Sequence, residues 1–143
     1  MGKRTRAREC ALQMLYQWDM SGQGSMDRVA ALFWQVRTTT DETRARAEQL
    51  ARGAQGDLPR IDAAIAEAAI NWRFDRIAAI DRNILRVATY ELMMEPHTPA
   101  SVVIDEAIEL AKRFSEAAAP GFVNGVLDAV KRALRGEPAR RRS

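Results

Sequence analysis

A chain of 143 residues fits one domain that can bury roughly two thirds of its unfolded surface without metals, and its single cysteine, Cys10, excludes an internal disulfide. No apolar run approaches the ~20 residues that span a bilayer, and the basic opening leads into no apolar stretch of signal-peptide length, so a cytoplasmic protein without a membrane anchor is expected. The net charge of +3 is uneven, with +3 in residues 1–10, +5 in residues 131–143 and −5 between; basic ends suit a polyanion or are solvated tails, and the acidic middle suits a different, basic partner.

Apolar residues recur at three and four throughout, and no segment sustains strict alternation, so every element is predicted to be helical. The first helix spans about 5–20, with Ala7, Cys10, Ala11, Met14, Leu15 and Trp18 on one stripe, and ends at the turn Ser21-Gly22-Gln23-Gly24. A second, about 26–37, carries Val29, Leu32, Phe33 and Val36. The run Thr38 to Asp41 supplies an N-cap for a more polar third helix at 42–53, striped by Ala47, Leu50 and Ala51 and ended by Gly53 and Gly56. Asp57 and Pro59 open a fourth, whose stripe runs Leu58, Ile61, Ile65, Ala68 and Trp72.

A break at 71–75 and a short turn through Ile77 and Ile80 precede the strongest helix, about 81–94, capped by Asp81 and burying Ile84, Leu85, Ala88 and Leu92. Pro96 stops it. Thr98 and Pro99 read as cap and first position of the next helix, with Val103, Ala107, Leu110, Ala111 and Phe114 inward. A hinge at 117–121 leads to the closing helix, about 121–135, packed through Val123, Val126, Leu127, Val130 and Leu134. Gly125 inside it is expected to permit close approach of a neighbouring helix, and Gly136 with Pro138 ends it before a basic, disordered tail over 136–143. The expected fold is all-α, about seven helices, one domain of residues 1–135 with two helical subdomains, roughly 1–56 and 57–135.

Residues for catalysis are missing. The one histidine, His97, stands between two prolines in a loop, and neither a nucleophile–base pair nor a Cys/His zinc cluster can be assembled. Gly22 and Gly24 follow a helix rather than a strand, which removes the setting a phosphate-cradling loop needs. The acids Asp105, Glu106 and Glu109 share a helix with Lys112 and Arg113, giving a solvated or partner-facing surface with a Glu109–Arg113 pair at i, i+4. No enzyme activity, cofactor or metal is expected.

Residues for binding are present. Lys3, Arg4, Arg6 and Arg8 crowd the start of the first helix, where cations meet phosphates and release counterions. Arg6 and Arg8 stand about 200° apart on an ideal helix, so both reach one ligand only if the first turn frays or the ligand wraps it. Phe122, after Gly121 near a helix start, fits a core position on spacing alone, while an exposed Phe there could stack on an unpaired base; Asn124 could satisfy backbone groups or touch RNA.

Three stretches, ARECALQMLYQWD at 7–19, DRNILRVATYEL at 81–92 and VVIDEAIELAKRF at 102–114 with GFVNGVLD at 121–128, together resemble the NusB family, in order and over nearly the whole chain. The resemblance implies a bundle of two three-helix subdomains and a role in transcription antitermination on ribosomal RNA operons. It implies binding of boxA-type RNA together with the ribosomal protein that doubles as NusE, within an assembly of other Nus factors and RNA polymerase. By matching position, the RNA surface would use Lys3, Arg4, Arg6, Arg8, Lys112, Phe122 and Asn124, and Asp81, Asp105, Glu106 and Glu109 would face the NusE-like partner.

The family often has Asn where this chain has Asp105, and a polar or basic residue where it has Gly121. Ribosomal RNA cytosine methyltransferases carry a similar N-terminal domain but add a large catalytic domain and tend to read Ala and Arg at the positions of Gly125 and Asp128, so length and those residues favour the antitermination branch. Some family members form homodimers, and an apolar Trp18 or Phe33 face would serve one. The alternative reading is therefore a homodimeric interaction module that does not bind RNA.

Overall fold

The chain starts with the helix that the rest is built around. The computed structural model describes residues 2–137, so the part of the expected tail from Pro138 onward lies outside the described residues. Helix α1 (Lys3–Met20) buries Ala7, Cys10, Ala11, Leu12, Met14, Leu15 and Trp18, and the Trp18 indole N–H donates to the Gly24 carbonyl at 2.9 Å, holding the following turn. Helix α2 (Met26–Val36) is capped by Ser25, whose hydroxyl accepts from the Arg28 N–H at 3.2 Å. Helix α3 (Asp41–Gly56) is capped in the same way by Thr40, accepting from the Thr43 N–H.

Helices α4 (Leu58–Ala68), α5 (Ala79–Met94), α6 (Ala100–Phe114) and α7 (Ala119–Leu134) follow, with one 3-10 turn at Phe74–Arg76. Pro59 and Pro120 sit in the first turns of α4 and α7, where a missing N–H costs nothing. Helix α1 packs on α3 and α5; α6 and α7 pack on each other and on α5, and α4 lies against α5 and α7. The expected all-α architecture is the one found: seven α-helices and no strand among the described residues. None of these helices is long and apolar enough to cross a membrane.

Several local expectations are corrected. Helix α5 begins two residues before Asp81 and is preceded by Ala78, so Asp81 is a first-turn acid and not the cap. Pro99 itself occupies the cap of α6. Trp72 lies beyond the end of α4 and is 57% exposed; Leu32 and Val36 point outward from α2, because only one flank of that helix touches α1. Trp18 and Phe33 are buried and offer no open apolar face for a homodimer.

Two glycines exchange roles. Helix α3 runs straight through Gly53, where a Cβ would come within 2.2 Å of the Tyr90 ring, so this glycine is where α5 leans on α3. At Gly125 a Cβ would meet nothing within 4 Å, and the expected close helix approach is absent there.

Candidate nucleic-acid interface

The opening turn of α1 contains no acid and no side-chain cap, yet Lys3, Arg4 and Arg6 are all exposed there. Cations at the positive end of a helix dipole are unfavourable by roughly 0.3–1 kcal/mol each, so these side chains do not serve the helix. Lys3 meets Glu42 of α3 at 3.2 Å, an exposed pair of little energetic weight. Among the described residues neither Arg4 nor Arg6 forms a side-chain hydrogen bond or ion pair.

Arg8 departs from this group. It is 5% exposed, and its guanidinium grips Glu91 of α5 through Nε at 2.7 Å and Nη2 at 2.8 Å while Nη1 reaches Glu106 of α6 at 3.2 Å. Burial works against the charge, but the hydrogen bonds and charge of Glu91, with Glu106 behind them, raise the Arg8 pKa above its ordinary value. Two residues further along α1 than Arg6, Arg8 is turned by about 200° into the bundle. Its expected place on the RNA surface is corrected to an interior ion pair.

The same correction reaches Glu106, half-buried and receiving both Arg8 and the Thr5 hydroxyl, the latter at 2.5 Å. Beside this pair Arg46 holds Glu95 through two contacts of 2.6 Å, and a cleft of about 380 Å³ opens between Lys3, Arg4, Glu42, Arg46 and Glu95. Asp105 and Glu109 remain exposed on α6. Glu109 pairs with Lys112 at 3.2 Å, and Arg113 crosses to Glu9 of α1. Asp81 accepts from the Ser115 hydroxyl at 2.5 Å, closing the start of α5 onto the end of α6.

Phe122 is half-buried: it packs against the core and meets the exposed Trp72 edge-on, ring centroids 5.2 Å apart. The pair stands in a groove between α4 and α7 lined also by Ile70, Val126 and Leu134. Asn124 and Lys112 are exposed, as is His97. Cys10 is fully buried, and burial pushes its thiol up, away from nucleophilic use. No group of acids, histidines and cysteine able to hold a metal occurs among the described residues.

Two polar clusters escaped the sequence reading. Asp19 accepts from Arg82 at 2.9 Å, Asn83 at 3.1 Å and Gln23 at 2.9 Å, and it lies 3.0 Å from Arg86, which also grips Asp62 twice at 2.8 Å. Burial alone would raise the Asp19 carboxyl, but hydrogen bonds from Arg82, Gln23 and Asn83, with the Arg86 charge, hold it well below the usual carboxylate range. The second cluster gathers Arg37 and Arg113 on Glu9. Only the pairing of partners far apart in sequence identifies such residues, and helical periodicity carries no sign of it.

A helical bundle with bare cations at one helix start and an acidic strip on another helix has the make-up of a binding protein. The NusB family profile matches residues 5–132, and the chain belongs to the NusB family. It is 45% identical over 130 residues to the transcription antitermination protein NusB of Sorangium cellulosum, covering 91% of this chain and 92% of that one. To the protein of that name from Koribacter versatilis it is 47% identical, with 95% and 93% covered. Among solved structures, T. maritima NusB superposes with a TM-score of 0.82 at 31% identity over 92% of both chains. A chain in a complex of the antitermination factors NusB and NusE with double-stranded RNA gives 0.84 at 27% identity, covering 93% and 98%.

Proposed function

We propose that this chain is a transcription antitermination factor that works in the bacterial cytoplasm by holding boxA-type single-stranded RNA beside a NusE-like ribosomal protein. The observation that carries the reading is the pair Arg4 and Arg6, exposed, without an ion-pair partner among the described residues, and placed where the helix itself gains nothing from them. Lys3 adds charge at the same turn, and Lys112, Phe122 and Asn124 are the exposed or half-exposed groups that extend contact to the transcript. Asp105 and Glu109, with the partly covered Asp81, form the acidic side suited to a basic ribosomal protein.

The names of the relatives, and the NusE and double-stranded RNA in a structurally similar complex, support RNA and a NusE-like protein as the partners. Other Nus factors and RNA polymerase would join the assembled complex. The test is titration of a labelled boxA-type RNA with and without the ribosomal protein. Tighter, sequence-dependent binding with the partner is expected, and equal affinity for a scrambled RNA under both conditions would remove the sequence-specific part. Sedimentation as a dimer unmoved by RNA would favour the homodimeric module instead.

A further inference from the structure

Arg6 lies three residues before Glu9 and seven before Gln13, so the three share one face of α1. Glu9 is 7% exposed, and it accepts from Arg113 Nη1 and Nη2 at 3.3 and 3.1 Å and from Arg37 Nη2 at 3.5 Å. Arg37 also donates to Gln13 through a short contact. Arg37 comes from the residue closing α2 and Arg113 from the last turn of α6, so two helices deliver two arginines to one carboxylate of α1.

A clip between helices needs one arginine per carboxylate, and here two converge on Glu9. The arrangement is also directional: the carboxylate is inside, while the side chains of Arg37 and Arg113 remain 30% and 39% exposed. Each guanidinium is braced by a ring, Arg37 at 5.5 Å from the Phe33 centroid and Arg113 at 5.1 Å from that of Phe114. Cations held in this way lose little rotamer freedom when an anion arrives, unlike the loose side chains at the opening turn.

We infer that Arg37 and Arg113 are phosphate-contacting residues of the RNA surface, that Arg6 links them to the opening turn, and that Glu9 is the residue that positions them. The inference rests on the RNA-binding reading above. It also accounts for the 200° between Arg6 and Arg8: the RNA does not wrap the helix, because the cationic strip leaves Arg6 sideways across α2 and α6 while Arg8 turns inward.

The experiment measures the slope of log affinity against log salt for boxA-type single-stranded RNA, alongside thermal melting. Each phosphate contact contributes about 0.7 to that slope on a single strand. Arg37→Gln and Arg113→Gln are each expected to flatten the slope by about 0.7 and the double variant by about 1.4, while Arg37→Lys and Arg113→Lys retain it. Arg28→Gln, an exposed cation at the start of α2, is expected to keep the wild-type slope. Glu9→Gln melts earlier but binds RNA more tightly, since the carboxylate competing with phosphate is gone.

A folded double variant with the wild-type slope overturns the inference while leaving the RNA-binding reading intact. Failure of the wild-type chain to bind RNA at all removes both. Should the double variant not fold, the single variants and the sign of the Glu9→Gln effect decide: a change in melting alone, with the slope unmoved, makes the cluster a structural clip and refutes the contact.

Discussion

Arg8→Ala separates structure from recognition at the opening of α1. Removing one partner of a buried ion pair costs roughly 3–5 kcal/mol, because the remaining charge is left without compensation in the interior. Here Glu91, with 1% of its side chain exposed, loses both of its short contacts to Arg8 and retains only Arg46 at 3.6 Å. That residual partner places the cost near the lower end, about 3 kcal/mol, or a fall in Tm of about 10 °C for a domain of this size. Arg6→Ala removes an exposed side chain and is expected to stay within about 0.5 kcal/mol of wild type, while flattening the RNA salt slope by about 0.7. Arg8→Ala, assayed well below its Tm, is expected to keep the wild-type slope. Arg8→Lys, which keeps charge but cannot make the two-pronged contact, falls between in stability. Circular dichroism melts and fluorescence titrations at three or more salt concentrations decide the matter. An Arg8→Ala protein that melts with the wild type and loses slope as Arg6→Ala does would refute the interior assignment.

Gly53→Ala should destabilise by about 1–3 kcal/mol in urea unfolding, since the new methyl meets the Tyr90 ring; in a Tyr90→Ala background the same change should instead stabilise by up to about 1 kcal/mol through helix propensity. Gly125→Ala, with open space around the added methyl, should raise Tm by a few degrees, and a loss would reinstate the close approach. Asp19 supplies an acid-sensitive contribution: its folded pKa is depressed, so the stability it adds is complete above the unfolded value of about 3.9 and drains away as pH falls below it. Between pH 5 and pH 3 the wild type should lose more stability than Asp19→Asn, which starts lower and falls less steeply.

Periodicity made the architecture legible because each predicted helix carries a recognisable apolar stripe, and Ser25, Thr40, Pro59 and Pro120 sit at or near helix starts. It failed where burial is not one-sided. In α1, Arg8 and Glu9 are as covered as Leu12, since α3, α5 and α6 all reach that helix. In α2 the reverse holds: Leu32 and Val36 keep the helical spacing without finding a neighbour. The candidate site was legible as a charge cluster, but charge in a sequence has no direction. Lys3, Arg4 and Arg6 face solvent and Arg8 does not, and that distinction is set by the position of Glu91, eighty-three residues away.

The stretches that make the family recognisable owe their polar residues mainly to the interior. Arg8, Glu9 and Asp19 belong to the first, Arg82, Asn83, Arg86 and Glu91 to the second, and Glu106 and Arg113 to the third, and they are each other's partners: Arg8 with Glu91 and Glu106, Glu9 with Arg113, Asp19 with Arg82, Asn83 and Arg86. A buried ion pair adds little net stability, but a mismatch strands a charge, so sliding α1 along α5 by one turn would break the contacts at both ends together. These pairs therefore set the register of α1 against α5 and α6. Register in turn decides which arginines of the opening turn remain outside. The exposed cations Lys3, Arg4 and Arg6 precede the first recognisable stretch, and Arg37 lies between the first and the second. The polar residues of the recognisable stretches thus hold the scaffold in register, and that register leaves Lys3, Arg4 and Arg6 in solvent while Arg8 turns inward.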